Sequence, residues 1–325
     1  MIVLVYVDDI IVTGSCSTTI TALVQHLKGQ FAVKDLADLH FFFGLEVSRS
    51  STGMHICQTK YFRDLLTKTG MVDSKPLSTP ITLGSLSLHD GTLLPSATAY
   101  RSIVGALQYC TLTRPDLAFA VNKLCQFMHS PTDIHMQAAK RVLRYLKGTT
   151  HLGLFLHPTT DHTLYAYTDA DWASCPDDSR STSAYCIFLG HNLISWSSSK
   201  QKVVSRSSIE LEYRAMANGA AKISWLQSLL SELGMPLPHP PVLYCDNVST
   251  LHLATNPILH ARTKHVELDY HFIREHVLRK DLFLSFTPSS NQLADCLTKP
   301  LITTQFLELR TKLTVLPRPM SLRGC

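Results

Sequence analysis

The sequence has no long apolar run: no stretch among its 325 residues approaches the roughly 18 to 20 apolar residues of a membrane-spanning helix. The apolar run at its start is not preceded by a basic region, which indicates a strand and argues against a secretory signal peptide. Hydrophobic residues make up 45% of the chain and charged residues 17%. This balance is typical of a folded globular protein, and the length suffices for two or more domains.

The chain also has no paired cysteine motif. Its nine cysteines are scattered without a Cys-x-x-Cys pair, and its 16 histidines show no His-Glu-x-x-His spacing. These absences argue against a disulfide framework and against a zinc site. We therefore expect reduced thiols in an intracellular protein, cytoplasmic or nuclear, that is not secreted and has no membrane partner.

The net charge of +5 is unevenly distributed along the chain. Residues 1–160 carry 14 basic and 10 acidic side chains, whereas residues 161–300 carry 12 basic and 14 acidic ones. A basic front and a slightly acidic back are compatible with a nucleic-acid-binding module joined to a carboxylate-based active site.

The most informative short stretch is "LVYVDDIIVTG", in which Asp8 and Asp9 separate two apolar runs. The runs are short and rich in β-branched residues, so they predict two buried strands joined by a hairpin turn. One interpretation is a simple turn of two turn-forming residues. The other is a metal site, because neighbouring carboxylates between buried strands repel each other and lose hydration. Mg²⁺, which prefers oxygen ligands, would relieve both costs.

From Leu164 onward the pattern changes to strand, hairpin, strand, a long helix over about 208–233, and then alternating strands and helices. This order predicts an α/β layer arrangement. Five of its acids lie at strand ends or on predicted helices: Asp169, Glu210, Glu212, Asp246 and Asp295. Sites in open α/β sheets form at strand ends, so such side chains could share one cleft. Each acid alone is equally compatible with a cap, a turn former or a surface charge.

Three helices are predicted between these two regions, and they end near Thr111, Met128 and Lys147. On the third helix the side chains of Lys140, Arg144 and Lys147 recur at i, i+4 and i+7. They predict either a solvated helix face or a stripe that follows nucleic-acid phosphates and releases their counterions.

Together these segments resemble the Pol polyprotein of copia-type LTR retrotransposons over nearly the whole chain. The stretch "LVYVDDIIVTG" resembles the catalytic hairpin of a reverse transcriptase, and "YRSIVGALQYCTLTRPDLAFAVN" the segment between polymerase and nuclease. The stretches "YTDADWASCPDDSRSTSAYCIFLG", "SSIELEYRAM", "YCDNVSTLHLATNP" and "NQLADCLTKPL" resemble a ribonuclease H domain. The resemblance implies an α/β fold with an α+β front segment: a truncated polymerase palm hairpin, a helical connecting region and a ribonuclease H-like mixed-sheet domain.

The ribonuclease H resemblance implies Mg²⁺-dependent cleavage of the RNA strand of an RNA–DNA hybrid. Two Mg²⁺ ions, with Mn²⁺ as an alternative, would be held by Asp169, Glu212, Asp246 and Asp295 as the catalytic residues. Glu212 is favoured over Glu210 because "EYRAM" matches the family pattern of a glutamate followed by an aromatic or apolar residue and a small helical run.

For the hairpin, the reverse transcriptase resemblance implies a further aspartate on an earlier palm strand. No acid precedes Asp8 in this sequence. We therefore expect Asp8 and Asp9 to be a relic polymerase site, without DNA synthesis by this chain alone. The alternative is that the chain is a fragment of a longer polyprotein, whose missing part would then be a partner.

The expected organisation has five parts. They are a truncated reverse transcriptase palm segment (1–73), a linker (74–98), a helical thumb- or connection-like region (99–160), a ribonuclease H-like domain (161–300) and a basic C-terminal tail (301–325). The expected activity is that of an RNA–DNA hybrid ribonuclease whose partner is nucleic acid. The competing hypothesis is a degenerate retrotransposon remnant that binds nucleic acid without catalysis.

Overall fold

The computed structural model of the protein describes residues 1–255 and 267–318. Its strands are β1 (Ile2–Tyr6), β2 (Asp9–Thr13), β3 (Phe41–Phe42), β4 (Leu45–Ser50), β5 (Gly53–Cys57), β6 (Leu152–Leu156), β7 (Leu164–Asp171), β8 (Thr182–Leu189), β9 (Asn192–Lys200), β10 (Val242–Cys245), β11 (Phe283–Phe286) and β12 (Val315–Pro317). Its helices are α1 (Ser17–Gln30), α2 (Thr59–Lys68), α3 (Thr98–Cys110), α4 (Ala118–Cys125), α5 (Asp133–Gly148), α6 (Ser208–Glu232), α7 (Val248–Thr255), α8 (Glu267–Leu278) and α9 (Thr303–Lys312). No helix in the described part of the chain has both the length and the apolar character needed to cross a membrane.

The N-terminal strands β1 and β2 form an antiparallel hairpin, with Val7 at its turn in a left-handed conformation (φ 49°). The expectation that both strands are buried is wrong. Every residue of β1 is exposed, and the exposed fractions of Val5 and Val7 are 64% and 80%. The reason is that the hairpin is a separate two-stranded sheet: its Tyr6 ring contacts the rings of Phe42 and Phe43, but both of its faces stay largely exposed.

A second sheet is antiparallel and has the strand order β12-β6-β5-β4-β3. It brings β12, near the C-terminal end of the described residues, into one sheet with three strands that precede α2. The described part of the segment predicted as a basic tail, residues 301–325, contains α9 and β12. Strand β12 pairs with β6 of the second sheet. The segment folds because its apolar side chains Phe306, Leu309 and Leu313 are buried in the main core.

The third sheet carries Asp169 of the predicted nuclease site in β7, and Asp246 of that site directly follows its strand β10. Its strand order is β11-β10-β7-β8-β9, with β7, β8 and β9 antiparallel and β10 parallel to both β7 and β11. Alternate residues of β8 face opposite sides. Cys186 and Phe188 lie in the core formed with helices α2 to α5, whereas Ile187 packs with α6 and α8. The mixed sheet is therefore covered by helices on both faces, which confirms the predicted ribonuclease H-like α/β architecture.

The last predicted helix, over "SNQLADCLTK", is replaced by two 3₁₀ turns, Ser289–Asn291 and Leu293–Leu297. Gln292 between them has an extended backbone and a fully buried side chain. Its Nε2 donates a hydrogen bond to the Thr168 carbonyl at 2.9 Å, and its Oε1 accepts one from the Ala294 amide at 3.2 Å. Because Gln292 interrupts the helical bonding and reaches β7, this segment is tied to the edge of the mixed sheet.

The helical region follows the sequence prediction, with α3, α4 and α5 in order and a 3₁₀ turn at Pro115–Leu117 before α4. A buried ion pair lies at its centre. The Arg114 guanidinium contacts Asp116 at 2.7 Å, and Tyr145 donates a hydrogen bond to the same carboxylate at 2.6 Å. Arg310 of α9 donates in turn to the Tyr145 hydroxyl at 3.2 Å. The C-terminal segment is thus held against the helical region.

Candidate active site

Two of the predicted acids meet at one edge of the mixed sheet. Asp169 lies near the end of β7, and Asp246 directly follows β10. These strands are parallel neighbours in which Tyr167 pairs with Tyr244, so the acids two residues further along arrive side by side. Asp169 is only 3% exposed, and Asp246 accepts a hydrogen bond from the Ser289 hydroxyl at 2.8 Å.

Helix α6 brings the third acid to this edge. The helix begins after Ser207, whose hydroxyl accepts a hydrogen bond from the Glu210 amide as an N-cap. Gly219 permits close packing of the helix on the sheet, because a Cβ there would lie 2.7 Å from the methyl carbon of Thr168. Glu212, two turns before Gly219, is thereby buried at the sheet edge and is 7% exposed.

The contacts of the two helix acids differ. Glu210 forms an ion pair with Arg214 at 2.7 Å and accepts a hydrogen bond from the Arg206 amide at 2.8 Å. Both of its carboxylate oxygens therefore already have partners at the start of α6. Glu212 instead keeps one buried oxygen, Oε2, without a hydrogen-bond partner among the described residues. This difference favours Glu212 as the acid available to a ligand.

The fourth acid, Asp295, lies in the second of the 3₁₀ turns and is 3% exposed. Its Oδ1 lies 2.8 Å from Nζ of Lys299, and the same ammonium group lies 3.8 Å from Oδ2 of Asp169. Thr298 also donates a hydrogen bond from its hydroxyl to Oδ2 of Asp169. Lys299 therefore bridges two of the acids and offsets part of their charge.

Burial and mutual repulsion raise the pKa values of three of these carboxyls. Burial, with the charges of Asp169 and Asp246, raises the pKa of Glu212 to about 9. Burial and the Asp169 charge likewise raise the pKa of Asp295 to about 7, against the opposing effect of Lys299. Burial also raises the pKa of Asp169. Added positive charge would therefore favour the ionised forms of Asp169, Glu212 and Asp295.

The donor set fits a hard divalent cation. All four side chains are carboxylates, which Mg²⁺ and Mn²⁺ prefer as ligands. The unpartnered Oε2 of Glu212 is costly to bury, and a coordinated cation would satisfy it. One ligand atom from each of Glu212, Cys245 and Asp246 lies within 4.8 Å of the other two. A cation here would also cancel the repulsion that raises the pKa values of the acids.

The aspartates of the N-terminal hairpin lie in a different environment. Asp8 and Asp9 are both exposed. Neither belongs to a group of three or more potential metal ligands within residues 1–255 and 267–318. The hairpin thus lacks the burial of Asp169, Glu212 and Asp295 in the four-acid cluster (Asp169, Glu212, Asp246 and Asp295). Two acids of that cluster, Glu212 and Asp246, belong to such a group together with Cys245.

The basic residues predicted on the third helix lie on α5, but two of them have partners within the chain. Arg144 donates a hydrogen bond to the carbonyl of Lys75, and Lys147 donates one to the carbonyl of Ser74, each at 2.7 Å. Lys140 is exposed. The two contacts fasten the preceding segment to α5, and a role of the three residues in binding phosphates stays a prediction.

The sequence analysis missed three neighbours of the acids: Thr298, Lys299 and Cys245. Lys299 follows Asp295 by four residues, and this i, i+4 spacing was a usable signal for an ion pair. Thr298 and Cys245 had no comparable signal, because their proximity to the acids depends on how β10 and the 3₁₀ turn are placed in the fold.

A mixed sheet covered by helices, with acids at two neighbouring strand ends and further acids from a helix and a turn, defines the class of ribonuclease H-like folds. The sequence model of the family described as reverse transcriptase (RNA-dependent DNA polymerase) matches residues 1–83. The structure of the foamy viral protease-reverse transcriptase in complex with RNA/DNA hybrid shares the fold. Its TM-score is 0.51 at 12% sequence identity, and the match covers 99% of this chain and 38% of that one.

Several relatives in sequence are transposon proteins. The chain is 50% identical over 322 residues to the retrovirus-related Pol polyprotein from transposon RE2 of Arabidopsis thaliana, a match that covers 99% of this chain and 22% of that polyprotein. It is 33% identical over 222 residues to a transposon Ty5-1 protein of Saccharomyces cerevisiae, covering 64% of this chain and 69% of that protein. The chain belongs to the family of copia-type retrotransposon Pol proteins, and it spans about a fifth of the length of the RE2 polyprotein.

Proposed function

We propose that the protein is an RNA–DNA hybrid ribonuclease that cuts the RNA strand by two-metal phosphodiester hydrolysis. The observation that carries the proposal is the convergence of four acids from separate elements of the fold. Three of these acids are at most 7% exposed, and one has a buried oxygen without a partner among the described residues. Such a group destabilises a protein unless a ligand completes it, so its presence favours a role in function.

In this proposal the four-acid cluster would hold two Mg²⁺ or Mn²⁺ ions. Such ions, when bound, would supply activation of the attacking water and stabilisation of the leaving 3′ oxygen. Asp169 contributes to the raised pKa values of both Glu212 and Asp295, so it is electrostatically coupled to both sides of the cluster. This position places Asp169 among the residues that would hold the ions.

Two further side chains keep the cluster in place. Lys299 lies between Asp169 and Asp295, and its positive charge reduces their repulsion before substrate and cations arrive. Thr298 orients Asp169 by donating a hydrogen bond to it. Both act as positioning residues, because they hold acids at the point where the scissile phosphate would bind.

The proposed substrate class is nucleic acid. The structurally similar foamy viral protein was solved in complex with RNA/DNA hybrid, and the front half of this chain carries an excess of basic residues. Lys140, Arg144 and Lys147 are the candidates for phosphate contacts there. The proposed setting is inside the cell, with other parts of a Pol polyprotein as candidate partners.

The test uses the full chain and a hybrid labelled separately on each strand. With Mg²⁺ we expect cleavage of the RNA strand alone, and we expect none in EDTA or with the Glu212→Gln variant. Glu210→Gln is the matched control. A hybrid that binds but stays intact with both Mg²⁺ and Mn²⁺ would overturn the proposal in favour of a degenerate retrotransposon remnant that binds nucleic acid without catalysis.

A further inference from the structure

A thiol lies beside two of the acids in the cleft. Cys245 is the last residue of β10 and is fully buried. Its sulfur and one carboxylate oxygen each of Glu212 and Asp246 lie within 4.8 Å of one another. Among the described residues, no other group of three His, Cys, Asp or Glu side chains is arranged in this way. The two-metal proposal uses the acids and gives the sulfur no role.

Two members of this group have unused capacity for a ligand. Glu212 is 7% exposed, and its Oε2 has no hydrogen-bond partner in the described part of the chain. The Cys245 sulfur accepts one long hydrogen bond, from the Asn247 amide at 3.4 Å, and sulfur is a weak acceptor. A buried, unpartnered carboxylate oxygen beside such a thiol indicates a position that a further group completes.

A cation suits this position. A divalent cation that bonds to sulfur displaces the thiol proton and at the same time cancels the repulsion between the acids.

The ligand types select among divalent cations. Mg²⁺ requires oxygen ligands in octahedral geometry, whereas a thiolate among carboxylates favours Zn²⁺. Around a tetrahedral Zn²⁺, with bonds of about 2.3 Å to sulfur and about 2.1 Å to oxygen, the ligand atoms stand about 3.5 Å apart. The observed separations of up to 4.8 Å exceed that value, so binding would draw the Glu212 and Asp246 carboxylates closer to the sulfur.

We propose that Glu212, Cys245 and Asp246 form a mixed sulfur and oxygen site for Zn²⁺, with a water molecule as the fourth ligand. Binding forms one zinc–sulfur bond and releases to solvent the thiol proton and any proton on Glu212. Because the site shares two acids with the four-acid cluster, Zn²⁺ and Mg²⁺ exclude each other there. The inference depends on the positions of three ligand atoms and not on hybrid cleavage.

The test is a titration of the full, reduced chain with Co²⁺, which substitutes for Zn²⁺ and reports a sulfur ligand by an intense thiolate-to-cobalt charge-transfer band in the near ultraviolet. We expect one Co²⁺ per chain to produce this band, Zn²⁺ to abolish it by displacement, and excess Mg²⁺ to lower the apparent Co²⁺ affinity. Cys245→Ser should remove the band. The matched control Cys186→Ser should keep it, because Cys186 is equally buried but packs on the opposite face of the mixed sheet.

Two outcomes would overturn the proposal. One is a band that persists in Cys245→Ser, and the other is a band that disappears in Cys16→Ser, since Cys16 is an exposed thiol outside the cleft. If Cys245→Ser does not fold by circular dichroism, Glu212→Gln provides the second test. Its Co²⁺ affinity should fall about tenfold or more, and an unchanged affinity contradicts the site.

The same chain separates this inference from the nuclease proposal. If the chain gives the cobalt band but leaves the hybrid intact, the zinc-site proposal stands and the nuclease proposal fails. If the chain cuts the hybrid but never gives the band, the nuclease proposal stands and the zinc-site proposal fails.

Discussion

The N-terminal hairpin and the mixed sheet both place acids at the ends of β-strands, yet only the mixed sheet gathers them into a cluster. Asp8 and Asp9 are adjacent in sequence and exposed at a turn, with no third ligand beside them among the described residues. The acids of the mixed sheet are far apart in sequence and converge through β7, α6, β10 and a 3₁₀ turn. A metal site therefore needs several independently anchored elements, and adjacency in sequence is not enough.

Burial distinguishes the two regions further. Water solvates the carboxylates of the hairpin, whereas Asp169 and Asp295 are each 3% exposed. Electrostatic interactions are stronger in the dry cleft, so the acids there perturb one another and attract a counter-charge. We expect this difference to decide which acids carry the chemistry.

The largest effect is expected from Glu212. Glu212→Gln keeps the shape of the side chain but removes its charge. The Mg²⁺-dependent rate of hybrid cleavage should fall by about three orders of magnitude, equivalent to about 4 kcal/mol of transition-state stabilisation. Initial rates with a labelled hybrid measure this loss.

The control for that variant is Glu210→Gln on the same helix. It removes the ion pair with Arg214, a contact of the first turn of α6, and should change the rate by less than about threefold. If Glu210→Gln abolishes cleavage and Glu212→Gln does not, the assignment on α6 is wrong by two residues.

Next in size is the pH dependence of stability in the metal-free chain. The pKa values of Glu212 and Asp295 in the fold, about 9 and about 7, lie above their ordinary values of 4.5 and 3.8. A carboxyl with a raised pKa stabilises the fold fully below its unfolded pKa and loses that contribution as pH rises through its folded pKa. The free energy of unfolding in EDTA should therefore fall by several kcal/mol as pH rises from about 4 to about 9.

Urea denaturation at a series of pH values measures this dependence. The double variant Glu212→Gln with Asp295→Asn should lose most of it, and saturating Mg²⁺ should reduce it in the unmodified chain. The Asp8→Asn variant should keep it, because Asp8 is exposed. If the double variant shows the same dependence as the unmodified chain, the buried acids do not perturb one another as described.

A smaller effect is expected from α5. Lys140→Ala should lower the slope of log affinity for nucleic acid against log salt by about one unit. Replacing Lys140, Arg144 and Lys147 together should lower it by about 2–3 units if each contacts a phosphate. Circular dichroism checks that the variants still fold, because Arg144 and Lys147 also donate hydrogen bonds to backbone carbonyls. An unchanged slope would mean that the stripe is a solvated helix face.

The smallest effect is expected at the hairpin. Replacing Asp8 and Asp9 together by Asn should change the free energy of unfolding by less than about 0.5 kcal/mol, because both side chains are exposed. Hybrid cleavage should be unchanged, and we expect no primer extension by this chain. DNA synthesis that Asp8→Asn abolishes would instead identify the hairpin as a working polymerase site.

Local patterns in the sequence account for much of the mixed sheet. The acids of "YTDADW" and "YCDN" follow apolar strand patterns, so their position at strand ends could be predicted. Contacts between segments that are distant in the sequence could not be predicted from these local patterns. The exposure of β1 depends on which layers meet it, the pairing of β12 with β6 joins distant parts of the chain, and the approach of Lys299 to Asp169 requires the break at Gln292.

The central claim is that the buried four-acid cluster, and not the exposed hairpin pair, holds the divalent cations. Anomalous scattering from crystals of the full chain soaked in Mn²⁺ tests it most directly. We predict Mn²⁺ peaks in contact with carboxylates of the four-acid cluster and none at the hairpin. A peak between Asp8 and Asp9, with none in the cluster, would contradict the claim.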